Sequence, residues 1–403
     1  MSRDPARLSH SSSAPVTSPL QQSSQRILSV DATRGLAMAF VALSHFSWTL
    51  EHTQPRLADI LESVAMIASP TFLLLSGAML GLLQLRRKNR LPELASRLFH
   101  RGLFVLVVGH LLISGASALA HNKHYLDVVL DRVYITDVVG ICLMLLPRIT
   151  AQAGVKPLVA TGISLFLAAL LISYLWQPTQ TASIVVEQML FGSHGHRGRQ
   201  LMEYASPIIP YIGVYIAGIG LGSYLDRVAG GALEARESWR IVGVAVGMVF
   251  AAICAKAAWV FAHLDVQTPA GRVLHELTSP FQKLPPGPTY LLTFAGLGIL
   301  ALCAFFWLER RSPKAAPLTG FAILGQCSFA VFILQFYIFG PMSDFPQIFG
   351  GSFWWASYLG AMAVIFAVAM LWRRARGNRL FDVTYTLSNG GGKLAKPLGD
   401  ATS

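Results

Sequence analysis

Within the stretch DATRGLAMAFVALSH, residues 31–45, three side chains carry chemistry that their neighbours lack: Asp31, Arg34 and His45. A helix turns about 100° per residue, so the step from Arg34 to His45 amounts to roughly 1100°, about 20° past three full turns. Both side chains therefore share one face, about 16 Å apart along the axis. Asp31, three residues before Arg34, is placed to neutralise it locally. Histidine titrates nearest neutral pH, so it serves as a general base or as a nucleophile that accepts the transferred group itself. The rest of the stretch is apolar. A charge at mid-bilayer costs roughly 2.5–3.5 kcal/mol on insertion scales, so such residues face a bundle interior or a wet cavity. A plainer account also exists: Arg34 snorkelling to headgroups, Asp31 capping or pairing, and His45 a satisfied core histidine.

The elements that hold these residues must be membrane helices. Of 403 residues, 53% are hydrophobic and 13% charged, against about 25% charged in a soluble domain. Mean hydropathy is +0.52. The apolar matter comes in blocks of roughly 20 residues, the length that spans a bilayer. The roughly 10-residue alternation of a membrane β-barrel is absent. The expected fold is all-α, a polytopic bundle of ten transmembrane segments: 27–50, 57–84, 98–117, 134–149, 157–176, 207–225, 240–262, 288–308, 320–342 and 352–372. Residues 1–26, rich in Ser, Pro and Gln, and the basic segment 373–403 read as tails flanking one membrane domain, 27–372, with no signal peptide and no internal repeat.

The formal charge of +12 sits in short loops rather than in a patch suited to nucleic acid. Arg86, Arg87, Lys88 and Arg90 follow the second segment. Arg310, Arg311 and Lys314 follow the eighth, and Arg373, Arg374, Arg376 and Arg379 the tenth. The positive-inside rule puts these loops, and with them both termini, in the cytoplasm. The four cysteines, Cys142, Cys254, Cys303 and Cys327, read as small buried hydrophobes, and no metal site is expected.

Other stretches add a family likeness. The opening RILSVDATRGLAMAFVALSH resembles the first helix of membrane-bound acyltransferases, with the Arg-x10-His spacing of the acyltransferase-3 type. The superfamily also includes periplasmic-glucan succinyltransferases and heparan-α-glucosaminide N-acetyltransferases. ASPTFLLLSGAMLGL, RLFHRGLFVLVVGHLL, PIIPYIGVYIAGIGLG, QKLPPGPTYLLTFAGLG and LGQCSFAVFILQFYIF are similar to that last type and its bacterial relatives. The resemblance, spanning about residues 26–372, implies an acyl group, often acetyl, taken from cytosolic acyl-CoA. It is delivered to a hydroxyl or amine of a sugar or glycan across a bacterial inner membrane. The signature histidine maps to His45 and the arginine to Arg34. His52, in the following loop, competes for the histidine role of the heparan-glucosaminide type.

Acyl transfer from CoA also needs a grip on phosphates. Arg87, Arg90, Arg97 and Arg101 flank the cytoplasmic mouth, and Arg97 and Arg101 lie one turn apart on one face; the topological bias alone also predicts basic residues there. Asp137 orients a histidine, binds a sugar hydroxyl or starts a helix. Lys256, mid-segment, calls for a carboxylate such as Asp59 or Glu62, or for substrate. Gln335 is packing glue or a site residue. Ser69-Pro70-Thr71 breaks the second segment, either lining a cavity or kinking the helix. Trp176, Tyr204, Tyr211, Tyr290, Trp354 and Trp355 suit an interfacial belt or a sugar platform, and SHGHRGR, 193–199, reads as a solvated loop. A secondary transporter of a sugar conjugate or lipid is the alternative; the paired, broken half-repeats of many transporters are not evident. A membrane scaffold has little reason to bury Arg34, His45 and Lys256.

Overall fold

The computed structural model describes residues 27–192, 201–229, 235–262 and 266–382. The 1–26 tail, SHGHRGR and all but the first residues of the 373–403 tail lie outside them.

The chain is helical almost throughout. In order come α1 (Leu28–Leu50), α2 (Pro55–Ala65), α3 (Ala68–Arg86), α4 (Leu91–Phe104), α5 (His110–Ala120), α6 (Tyr125–Asp131), α7 (Ile135–Ile149), α8 (Val155–Leu175) and α9 (Thr181–Leu190). Then come α10 (Ile208–Ala229), α11 (Ala235–Phe261), α12 (Pro269–Thr278), α13 (Pro288–Arg311), α14 (Ala316–Gln326), α15 (Ser328–Ser343), α16 (Pro346–Phe349) and α17 (Trp354–Arg374). A π-helical turn, Val105–Gly109, joins α4 to α5. Two short strands, β1 (Arg132–Val133) and β2 (Tyr204–Ala205), pair in parallel.

Seven helices among the described residues are long and apolar enough to cross a membrane, and the pair α14–α15, bent by 83°, makes an eighth if taken as one span. These match eight of the ten expected segments. The other two are α1 and α7. α7 has only 15 residues, about 22 Å at 1.5 Å each. α1 is long enough at 23 residues, but its charged and hydroxyl side chains dilute its apolar character.

Position explains that polarity. α1 is buried on most of its circumference, packed against α2, α3, α13, α14 and α15, so it faces protein where lipid-facing helices face hydrocarbon. It approaches α14 closely: a Cβ on Gly35 would lie 1.8 Å from the Phe321 carbonyl oxygen, and one on Gly325 1.8 Å from that of Asp31. Backbone contact of this kind is what small residues provide between membrane helices. The Glu309 carboxylate, at the end of α13, accepts the amides of Leu28 at 3.1 Å and Ser29 at 2.9 Å, satisfying orphan donors at a helix N-terminus.

That contact places the start of α1 and the end of α13 together, at the end of the bundle that carries the basic loops. Arg86 binds Asp226 there at 3.0 Å. The strand pair and α6 lie at the opposite end. The second expected segment is two helices, broken at Met66 and Ile67 just before Ser69-Pro70-Thr71, and the Tyr290 hydroxyl donates to the freed Met66 carbonyl at 3.3 Å. One expectation fails in part: Cys142 and Cys327 are buried, but Cys303, on α13, is half-exposed and Cys254 is exposed, the latter because α11 lies on the outside of the bundle and packs mainly on α13.

Candidate functional site

A cavity of about 220 Å³ opens near the end of α1 that is remote from the basic loops. From α1 it takes Met38, Val41, Ser44, His45 and Trp48; from the α2–α3 break, Glu62, Ser69 and Phe72; from the far-end loops, Arg132, Tyr134, Tyr204 and Lys283; and from α15, Phe332 and Phe336. Positions 38, 41, 45 and 48 continue the helical stripe that starts at Arg34, so one face of α1 builds one wall.

His45 is 8% exposed. Its ring lies 4.3 Å from that of Phe336 and 4.8 Å from that of Trp48. Its Nδ1 is buried with no hydrogen-bond partner among the described residues. An imidazole caged by aromatic rings and edging on a cavity has a fixed orientation and an unspent polar atom.

The wall opposite is held by charges that satisfy one another. Asp137 Oδ2 accepts the Tyr134 amide at 2.8 Å and His110 Nδ1 at 2.8 Å. The other nitrogen of His110 lies 3.0 Å from the Val129 carbonyl. Both partners of His110 are acceptors, so the ring donates twice. This fixes the turn carrying Tyr134, whose ring stacks on Tyr204 at 6.3 Å. Beside it, Arg132 Nη2 binds Glu203 at 2.6 Å, and Lys123 takes the other carboxylate oxygen at 2.6 Å. Burial alone would raise the Glu203 carboxyl, but the Arg132 and then the Lys123 hydrogen bonds prevail and hold it at about 2.

Arg34 lies beyond the cavity floor. Its Nη2 donates to Ser328 Oγ at 2.7 Å, at the α14–α15 bend, and its guanidinium rests 5.6 Å over the Phe72 ring. Phe72 thus lines the cavity and also carries the arginine. Asp31 is buried and accepts from Gln326 at 3.3 Å. Further toward the basic end, buried Arg97 lies 3.6 Å from Glu93. Arg101 sits 5.2 Å over the ring of Phe381, which belongs to the segment after α17. Burial first, and then the like charge of Arg97, lower the Arg87 guanidinium from its ordinary value, with Arg90 adding to the effect. Arg87, Arg90 and Arg97 therefore share one field, which Glu93 offsets in part.

The acyltransferase domain that defines the acyltransferase-3 family matches residues 27–373. The chain belongs to that family. No curated protein and no solved structure matches it.

In this acyltransferase-3 protein the residues singled out from sequence fall into three groups. His45 lines the cavity. Arg34, Asp31, Arg87, Arg90, Arg97 and Arg101 lie outside its lining, on or toward the basic end. His52 is exposed on the turn after α1 and is not part of the lining. Asp137 orients a histidine and also caps the start of α7. Gln335 is fully buried and donates to the Met38 carbonyl at 3.0 Å, bracing the α1 backbone beneath the cavity.

Lys256 is half-buried on α11 and makes no ion pair with Asp59 or Glu62 among the described residues. α11 packs on α12 and α13, away from α2. Ser69 lines the cavity; Thr71 packs against Gly298. Of the six aromatics, Tyr204 reaches the cavity, while Tyr211 and Tyr290 are buried struts.

Sequence reasoning missed His110, Arg132, Tyr134, Glu203 and Lys283. The signals were faint: a histidine inside an apolar run, and basic residues in loops that read as ordinary rim. No cluster of three metal-ligating side chains is found among the described residues. The arrangement offers an oriented imidazole, hydroxyls at Ser44 and Ser69, and a cluster of arginines at the other end of α1.

Proposed function

We propose that the protein transfers an acyl group, acetyl foremost, from cytosolic acyl-CoA to a hydroxyl or amine of a sugar or glycan on the extracytoplasmic side of a bacterial inner membrane. In this reading the basic loops and both termini are cytoplasmic, and residues 27–372 form the membrane domain between two tails. The observation that carries the proposal is His45, a caged imidazole that lines a cavity at the end opposite the basic loops and keeps a buried Nδ1 with no hydrogen-bond partner among the described residues. At about 220 Å³ the cavity is smaller than the ~300–1,000 Å³ of drug-sized ligand sites. It suits the reacting ends of two substrates, with the nucleotide of CoA left at the arginine mouth.

As a base, the imidazole takes the acceptor's proton while the acceptor oxygen or nitrogen attacks the thioester carbonyl. The carbon–sulfur bond then breaks, and the proton passes to the departing thiolate. As a relay, the ring nitrogen attacks first, CoA leaves as the thiol, and the acceptor displaces the acyl group from the ring. Hydroxyls of Ser44 and Ser69 supply donors for the oxyanion in either route. The test is purified protein with radiolabelled acetyl-CoA, wild type beside His45→Ala, scored for labelled enzyme and for CoA release. Histidine-dependent labelling or release is the expected result. Equal turnover in the variant moves the chemistry elsewhere, with His52 the next candidate. Movement of an unmodified sugar conjugate across vesicles with no CoA released would favour the transporter.

A further inference from the structure

Lys283 differs from Arg132, the other cation that lines the cavity. Arg132 pairs with Glu203 and lies near Asp131, while Lys123 takes the second Glu203 oxygen. Lys283 lines the cavity and forms no ion pair with any described carboxylate. Its backbone is nevertheless held firmly. The buried Tyr211 hydroxyl donates to its carbonyl at 3.2 Å, Gln282 Nε2 donates to the Leu284 carbonyl at 3.3 Å, and the Gly287 amide donates to the Gln282 carbonyl at 2.8 Å. A lysine that merely snorkels to lipid headgroups needs no such anchoring. Across the cavity stands Glu62, which is exposed on α2 and also out of ion-pair range. Tyr134 and Tyr204 stack on each other on the same wall, both lining the cavity, with Tyr204 the more exposed of the two.

We propose that Lys283 is an anion subsite, and that the acceptor is a hydroxylated ring bearing a carboxylate or a phosphate. The negative group docks on Lys283, the ring lies against Tyr204, and the attacking hydroxyl or amine faces His45. Glu62 is left for a neighbouring hydroxyl or amine of the same ring. Calling this ligand the acceptor rests on the acyl-transfer reading; the anion subsite itself does not.

Equilibrium binding to the purified full-length protein in detergent separates the two. The probes are radiolabelled D-glucuronate, D-glucose 6-phosphate and D-glucose, each against wild type, Lys283→Gln and Lys283→Arg. Wild type is expected to bind both anionic sugars, or one of them, more tightly than glucose; which one identifies carboxylate or phosphate as the group held. Lys283→Gln should lose about tenfold on the anionic probe, the scale of one partly buried charge contact, with glucose unchanged and Lys283→Arg largely restored. Equal binding of all three sugars by wild type, or an unchanged anion affinity in Lys283→Gln, overturns the inference. Intact anion selectivity in a protein that never turns over acetyl-CoA upholds the subsite and counts against acyl transfer instead.

Discussion

At the His45 end of the bundle, the wall opposite His45 is built from paired charges: Arg132 and Lys123 share Glu203, Arg132 also lies near Asp131, and Asp137 holds His110. At the basic end, Arg87, Arg90 and Arg97 crowd one another with Glu93 beside them, and Arg34 and Arg101 lie over phenyl rings. The first arrangement spends its charge on holding a wall in place. The second gathers several arginines close together, and under the acyl-transfer reading proposed above the donor's phosphates dock there. Phe72 touches both regions, lining the cavity and lying under the Arg34 guanidinium.

The sharpest way to break this contrast is to remove the imidazole. His45→Ala should reduce acyl transfer by about 10²–10⁴, the usual contribution of a positioned base, while the purified protein keeps its unfolding temperature. A fall in stability of the same order as the fall in rate would make His45 a packing residue. Next in size is Asp137→Ala, which strips the acceptor from the His110 ring and the Tyr134 amide. Two buried donors left unmet cost about 1–3 kcal/mol each. Thermal unfolding should show that loss, and a double-mutant cycle with His110→Ala should show strong coupling.

These residues also mark how much the sequence disclosed. The stripe from Arg34 to His45 was legible because both ends lie on one helix, where the period alone fixes the face. Eight spans were legible from length and apolar content. α1 and α7 are the less regular cases: one is polar because it is buried in protein, the other short because its start is given over to the turn at Tyr134. His110 was not legible as part of a wall, since its partner Asp137 comes from another helix and a π-helical turn sets the register between α4 and α5. Lys283 lies far in sequence from His45, and only the fold of the loop before α13 brings them to one cavity. The paired charge at Glu203 depends on a strand pair of two residues each, too short for any periodic signal.

At the basic end, Arg97→Ala combined with Arg101→Ala should weaken acetyl-CoA binding by about 10- to 100-fold, a few charge-assisted contacts' worth. The loss should shrink in high salt, because exposed phosphates are screened. His45-dependent hydrolysis of a short thioester lacking the nucleotide should change little in the same variant. If donor affinity does not move, these arginines serve topology and the two ends no longer divide the labour.

The smallest expected effect concerns acid and the paired end alone. Glu203 has a folded value of about 2 against 4.5 for an ordinary glutamate. A carboxyl lowered on folding stabilises the folded state above its unfolded value, and that contribution fades as pH falls from about 4.5 toward 2. Asp131 runs the other way: burial first, and then the nearby Glu203 charge, raise it, so its protonation favours the folded state as pH falls and offsets part of the loss. The net slope of unfolding temperature against pH in this window should be shallow and positive with rising pH. Glu203→Gln should flatten it, because the variant has no carboxylate left to protonate and relieves Asp131 as well. A wild-type slope that survives in Glu203→Gln would mean that Arg132 and Lys123 hold this wall by packing rather than by charge, and the difference between the two ends would then lie in shape alone.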